Sequence, residues 1–239
     1  MLLVVFDIDG TLCDTEAVDE DCFVRACAGV FGVVPQAVDW ELAPHVTDSS
    51  ISDWWCRQTL GRAPTAAETT AVVDRFLASL EQALAQAPER FRPVPGAPAL
   101  LRRIHTLGWR TGVATGGWGR SARLKLAAAG LPEVALLACS DDASDRVEIF
   151  RLAQQRALAD AAGPVARTVL VGDGAWDVRV AGSLGWSFVG VAEGRRAERL
   201  MRAGAVDVIP HFLDVDHALR VVERAAAPVR VQQLPEAAG

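Results

Sequence analysis

From residue 95 onward the chain alternates between two hydrophobic periods. "APALLRRIHTLG" carries apolar residues at helical spacing and stops at Gly108; "WRTGVAT" follows as a short β-forming run. The same alternation repeats through "WGRSARLKLAAAGL", "VALLACS", "RVEIFRLAQQRALADA", "ARTVLVGD", "AWDVRVAGSLG", "WSFVGVA", "RRAERLMRAG", "AVDVIP" and "HFLDVDHALRVVERAA". Strands that alternate with helices must run parallel, joined by right-handed crossovers. A further strand stands alone at the front. Residues 2–6, "LLVVF", are apolar throughout, as in a strand covered on both faces. Between that strand and residue 95 only helical patterns occur: "EAVDEDCFVRACAGVFG", "DSSISDWWCRQTLG" and "TAAETTAVVDRFLASLEQALAQA". "PERFRPVPGAP" (88–98), with four prolines, then reads as a linker.

The pattern predicts an α/β fold: a Rossmann-like parallel sheet core with an inserted α-helical cap domain. The core takes residues 1–14 and 95–226, and the cap residues 15–94. Residues 227–239 have few packing groups and read as a disordered tail. The insert follows the C-terminal end of the first strand, where such sheets bind ligands, so it is placed to act as a lid.

Three strands end in polar residues of particular kinds. The first runs into "DIDGT", the second ends at Thr115 before Gly116-Gly117, and the third ends at Asp173 in "GDGAWD". Parallel strands bring their C-terminal ends to one edge, so Asp7, Asp9, Thr115, Asp173 and Asp177 can converge. Carboxylates that close repel and raise one another's pKa unless a cation lies between them. All-oxygen donors favour Mg²⁺, which keeps waters and accepts a substrate phosphate. Asp7 could then stay ionised as a nucleophile. Asp9, two residues on, shares its face and could act as a general acid and base. The Thr115 hydroxyl and the N–H groups after it could hold phosphate oxygens.

This constellation resembles the haloacid dehalogenase-like hydrolase superfamily. "DIDGT" is similar to its first motif, "ATGG" with Thr115 to its second, and "GDGAWD" to its fourth. Residues 15–94 are similar to its helical cap of the first type. "VPGAPALLRRIHTLGWRTGVATGG" and "ARLKLAAAGL" resemble the phosphoglycolate-phosphatase-like branch. The resemblance implies a Mg²⁺-dependent phosphatase acting on a small phosphomonoester, phosphoglycolate being the first guess. Asp7 would form an aspartyl-phosphate, and Asp9 would protonate the leaving oxygen and then activate water. Mg²⁺ would be held by the Asp7 carboxylate, the Asp9 carbonyl and Asp173, with Asp177 supporting its water shell. Thr115 would hold the phosphate. A basic residue before the helix leading to the fourth motif completes the pattern; Arg146 has that placement, though the usual Lys-Pro is missing. Lys125 is its rival. It lies seven residues into a helix, about 10 Å along the axis, which is expected to carry it away from the phosphate.

Other readings remain alongside. A phosphosugar mutase would use the same acids and cap. A non-catalytic phosphate-binding module would typically have lost one of them. The acid at Asp9 argues against halide displacement, and a cap without lysine argues against a Schiff-base phosphonatase. Thr115 could instead cap a helix, as could Asp173, with Asp177 a first-turn charge. Within the cap, "WELAPHVTDSSISDWW" (40–55) is the best candidate for substrate contact: His45, Thr47 and Asp48 lie in a loop before a helix, although Thr47 or Asp48 reads more readily as that helix's cap. Trp54-Trp55 reads as core plus one rim residue, and Trp118 and Trp176 read as packing residues that could border the site.

Composition narrows the class. A net charge of −6 disfavours a nucleic-acid partner. The N-terminus lacks a basic leader and cleavage site, and no apolar run reaches a membrane span, so a soluble cytoplasmic protein is expected. The expected partner is a small phosphorylated metabolite, with the chain a monomer or homodimer. Five cysteines without CxxC spacing read as reduced packing groups. Of 24 basic residues one alone, Lys125, is lysine.

Overall fold

A computed structural model describes residues 1–32, 40, 43–131, 134–159 and 163–229. Its strands are β1 (Leu2–Phe6), β2 (Cys13–Asp14), β3 (Arg92–Pro93), β4 (Arg110–Ala114), β5 (Leu136–Ala138), β6 (Arg167–Gly172), β7 (Ser187–Val191) and β8 (Asp207–Ile209). Its helices are α1 (Glu16–Phe31), α2 (Asp48–Leu60), α3 (Ala66–Gln86), α4 (Ala97–Thr106), α5 (Gly119–Ala128), α6 (Arg146–Ala159), α7 (Ala175–Leu184), α8 (Gly194–Arg202) and α9 (Val215–Arg224). Six strands form one parallel sheet in the order β5-β4-β1-β6-β7-β8. β1 is central, and the chain builds outward from it first through β4 and β5, then through β6, β7 and β8. That reversal about β1 creates a crevice at the strand ends.

β1 is apolar at every position because both faces are covered. Val4 and Phe6 pack with residues of α4, α5 and α9, including Leu100, Ile104, Leu126 and Val222. Leu3 and Val5 pack on the other face with α6, α7 and α8, including Ile149, Phe150, Ala181 and Leu200. The period of two in a strand explains the division.

α1, α2 and α3 form the helical cap, with a cluster of its own around Phe23, Trp55, Phe76 and Leu80. α3 starts with a capping box: Thr65 Oγ1 accepts from Glu68 N, and the Glu68 carboxylate accepts from Thr65 N. The chain leaves the core through β2 and returns through β3, and these two strands pair antiparallel, Cys13 with Pro93 and Asp14 with Arg92. The proline-rich stretch is therefore more than a linker. Two-residue strands leave no periodic signal in a sequence, so this clasp was not foreseen. In the expected tail, Val229 N donates to Gly204 O over 2.9 Å; residues 230–239 lie outside the described residues, as do Asp160 and Ala161 of the expected third core helix and Glu41 and Leu42 before α2. Among the described residues no helix is long and apolar enough to cross a membrane.

Candidate active site

Strand register builds the site. Phe6 pairs with Val113 on one side and Val171 on the other, so the residues after these strands meet at one edge. Asp7 N still donates to Val171 O over 3.0 Å, which fixes Asp7 at the end of the ladder. The chain then turns sharply: Leu12 N and Cys13 N both donate to Ile8 O, over 2.8 and 2.9 Å. Gly10 makes the turn possible. Its φ is +71°, and a Cβ there would lie 2.2 Å from Asp173 Oδ2, so both conformation and space require glycine.

Asp7, Thr115, Arg146, Asp173 and Asp177 are all buried, and all but Asp177 line one cavity of about 390 Å³. Arg146 opens α6. Its guanidinium reaches Asp7 Oδ2 at 3.1 Å and Asp177 Oδ1 at 2.8 Å, and its NH1 donates to Val46 O over 2.9 Å. The face of Phe150 packs 5.5 Å from its Cζ. Asp177 is fully engaged: besides Arg146, its Oδ2 accepts from Gly174 N over 3.1 Å and so caps α7. Thr115 does not cap α5, which begins after Trp118; its hydroxyl oxygen accepts from Gly117 N over 3.2 Å in a local turn. Arg196 was missed in the sequence. It pairs with Asp173 and, over 2.6 Å, with Glu16 of α1.

The donors fit a hard dication. Asp7, Asp173 and Asp177 each offer an oxygen, and the three oxygens lie within 4.8 Å of one another. Asp7 Oδ1 is buried and has no hydrogen-bond partner, an expensive state for a carboxylate unless a cation faces it. Burial raises the Asp7 carboxyl to about 7; Arg146 pulls against this, while Asp177 and Asp9 add to it. Burial also holds Asp173 well above the usual range, with Asp177, Asp7 and Glu16 adding to the effect and Arg196 opposing it. Oxygen-only donors of this kind suit Mg²⁺.

Asp9 lies on the cap side of Asp7. Its Oδ1 accepts from Thr15 Oγ1 over 2.6 Å, and its Oδ2 accepts from Lys125 Nζ over 2.6 Å. Lys125 therefore is not carried away from the site, contrary to the expectation from its place in α5. Helical side chains slant back toward the helix N-terminus, and the long lysine stem recovers the distance that the axial rise suggests is lost. Its Nζ also meets Asp19 Oδ1 of α1 at 2.5 Å. Burial pushes the ammonium down, but Asp19, Asp9 and Asp48 outweigh it and keep the pKa above the ordinary lysine value.

The cap wall contributes Glu16, Asp19, Glu20, Phe23, Trp40, Asp48 and Ile51 to the cavity. Thr47 is the N-cap of α2, accepting from Ser50 N over 3.3 Å, as its sequence context suggested. Asp48 does more than start the helix. Its N donates to Gly116 O and its Oδ2 accepts from Trp118 N, both over 2.8 Å. Ser49 and Ser140 exchange further hydrogen bonds across the same seam, and Thr47 Oγ1 donates to Ser144 O over 2.8 Å. Gly116 has no side chain because a Cβ would lie 2.3 Å from Arg146 NH1 and 2.6 Å from Val46 O. Trp118 belongs to the cap's cluster, its ring centroid 5.8 Å from Phe23 and 5.9 Å from Phe76. Trp55 is in that cluster too, with Trp54 partly buried beside it, and Trp176 lines the cavity. The five cysteines are free and buried, and burial raises their thiols, Cys13 to about 12 and Cys139 to about 11.

Residues 1–185 match the family model of the haloacid dehalogenase-like hydrolases. The chain belongs to this family. No curated protein matches this hydrolase by sequence. In fold it is similar to a hydrolase from Pseudomonas syringae, with 21% identity and a TM-score of 0.71, over 95% of this chain and 100% of the other. It is similar to a protein named as a candidate β-phosphoglucomutase from Thermotoga maritima, with 19% identity and a TM-score of 0.58, over 93% of this chain and 100% of that one. It is also similar to a predicted phosphoglycolate phosphatase from Haemophilus somnus, with 17% identity and a TM-score of 0.60, over 91% and 97% of the two chains. Likeness at these identities is likeness of fold.

Proposed function

We propose that this hydrolase is a Mg²⁺-dependent phosphatase that cleaves a small phosphomonoester through an aspartyl-phosphate on Asp7. The observation that carries the reading is the Asp7 carboxylate: one oxygen is paired with Arg146, the other is buried and unpartnered, and the residue opens onto a cavity shared with Asp9 and Thr115. Asp7, Asp173 and the Asp9 carbonyl would hold Mg²⁺, with Asp177 supporting from behind through Arg146 and α7. The metal would supply positive charge against the phosphoryl oxygens and keep Asp7 ionised.

The chain's own groups do the rest. An Asp7 oxygen attacks phosphorus, and the bond to the ester oxygen breaks. Asp9 gives its proton to that leaving oxygen. In the second half Asp9 takes a proton from water, which attacks the same phosphorus and releases Asp7 with inorganic phosphate. Arg146 balances the phosphoryl charge. Because Gly117 N–H already donates to Thr115 Oγ1, the hydroxyl hydrogen of Thr115 is free to donate to a phosphoryl oxygen.

The test is phosphate release from a panel of esters, with Mg²⁺ or EDTA, for the wild type and Asp7→Asn. Metal-dependent release that Asp7→Asn abolishes is expected. Release that survives Asp7→Asn would remove Asp7 as nucleophile, and turnover of glucose 1-phosphate without net phosphate release would point to a mutase instead. The panel includes phosphoglycolate and neutral sugar and polyol phosphates. With Glu16, Asp19, Glu20 and Asp48 on the cap wall, the neutral esters are expected to outperform phosphoglycolate, whose carboxylate these acids repel.

A further inference from the structure

The site contains two buried cations, and they serve different carboxylates. Arg146 pairs with Asp7 and Asp177. Lys125 pairs with Asp9 and Asp19, at 2.6 and 2.5 Å. Asp9 and Asp19 line the cavity, whereas Lys125 is 1% exposed and lies behind them. Both oxygens of Asp9 are thereby held, Oδ2 by Lys125 from α5 and Oδ1 by Thr15 at the entry to α1. Asp19, one turn into α1, shares the same ammonium.

We propose that Lys125 is a positioning residue for Asp9: it fixes the carboxyl that transfers the proton and ties its orientation to the cap through Asp19. The inference rests on the phosphatase reading given above. Residue choice supports it. Every other Lys or Arg position in the chain is arginine, and the one lysine stands at the buried meeting point of two carboxylates. An ammonium is compact and can aim separate N–H donors at two carboxylates that converge from different elements. A guanidinium is larger and planar, so it bridges two carboxylates only where, as at Arg146 and Arg196, both lie within reach of its fixed fork.

A positioning role and a purely structural role predict different kinetics. Misplacing a general acid harms esters whose leaving group needs a proton and spares those whose leaving group does not. Loss of packing harms both alike. The experiment measures kcat/KM with Mg²⁺ for glycerol 2-phosphate, an alkyl ester, and 4-nitrophenyl phosphate, an aryl ester. The variants are Lys125→Met, Asp19→Asn and, as the reference for a lost acid, Asp9→Asn.

Lys125→Met is expected to lower the alkyl-to-aryl ratio by roughly 10²-fold, in the direction of Asp9→Asn, and Asp19→Asn by several-fold. Should Lys125→Met fail to fold, Asp19→Asn, which keeps the lysine and changes a partly exposed side chain, decides by the same ratio. An unchanged ratio in every folded variant, whether both rates fall together or neither falls, overturns the proposal. A wild type that hydrolyses neither ester overturns the phosphatase reading and this inference with it. A wild type that cleaves both, with an unchanged ratio in the Lys125 and Asp19 variants, overturns this inference alone.

Discussion

The two walls of the cavity are built in different ways. On the core wall, Asp7, Thr115 and Asp173 each follow directly on a strand, β1, β4 and β6; Asp7 N donates to Val171 O over 3.0 Å and Thr115 N to Ala138 O over 3.2 Å. On the cap wall, Asp48 is placed by hydrogen bonds between residues 46–50 and loops of the core, and Phe23 by aromatic packing that includes Trp118 from the β4–α5 turn. The core wall takes the positions of its residues from strand ends, with Arg146 and Arg196 balancing their charge. The cap wall depends on side chains supplied across the boundary. Such a cap cannot lift as an independent body without breaking the Asp48–Trp118 seam or drawing Trp118 out of its cluster.

The largest effect is expected at the buried cation of the core wall, which also reaches the cap through Val46 O. Arg146→Ala leaves Asp7 and Asp177 buried without their cation and removes the hydrogen bond to Val46 O. Breaking such a buried arrangement costs about 3–5 kcal/mol. Urea unfolding in EDTA reads this loss, and phosphate turnover is expected to fall with it. Wild-type stability would mean that the cluster tolerates its charges without Arg146. Trp118→Ala comes next. It removes a ring that is 3% exposed and shared among Phe23, Phe76 and the α2 start, an expected loss of about 3 kcal/mol. The informative readout is local: limited proteolysis is expected to cut first in α1–α3, although the substitution is made in the core. Uniform sensitivity along the chain would erase the distinction between the walls.

How far each wall could be read from sequence follows from the same difference. Strand ends are legible because a continuous apolar run announces its own terminus, and parallel pairing does the rest. Asp7, Thr115 and Asp173 needed only that step, and Arg146 only its place at the start of α6. Lys125, Asp19, Arg196 and Asp48 depend on how helices from distant segments pack, and no local pattern encodes that. For Lys125 the axial rise of α5 suggested distance, while the slant of helical side chains and the length of the stem reversed it. One compositional signal pointed to it, a single lysine among arginines. In α1 the spacing of Glu16, Asp19 and Glu20 places three acids on one helical face, a pattern that could have marked the wall opposite Asp9. The β2–β3 clasp left no trace because two residues are too few for a period.

A smaller loss is expected at the α2 start. Thr47→Ala removes the cap on Ser50 N and the bond to Ser144 O, worth about 1–2 kcal/mol together. Thermal unfolding measures it. A Ser at this position keeps the hydroxyl and is expected to recover most of the stability, whereas equal loss in Thr47→Ser would assign the effect to the methyl group.

The smallest effect tests whether any part of the cap is determined locally. The capping box of α3 lies within four residues and takes nothing from the core. Glu68 is held at about 2, below its ordinary 4.5, first by the Arg62 guanidinium and then by the N–H and hydroxyl of Thr65. A carboxyl with a lowered pKa stabilises the fold fully above its unfolded value and loses that contribution as pH falls through the folded one. The stability difference between wild type and Glu68→Gln is therefore expected to be complete above pH 4.5 and to vanish toward pH 2. Because the group is solvent-facing, 1 M salt is expected to shrink it further. Thermal unfolding of the two proteins across that range measures the effect. A difference that stays flat from pH 5 to pH 2 would mean that the box works through hydrogen-bond geometry alone. A difference that depends on Trp118, tested in the double variant, would mean that even the start of α3 leans on the core.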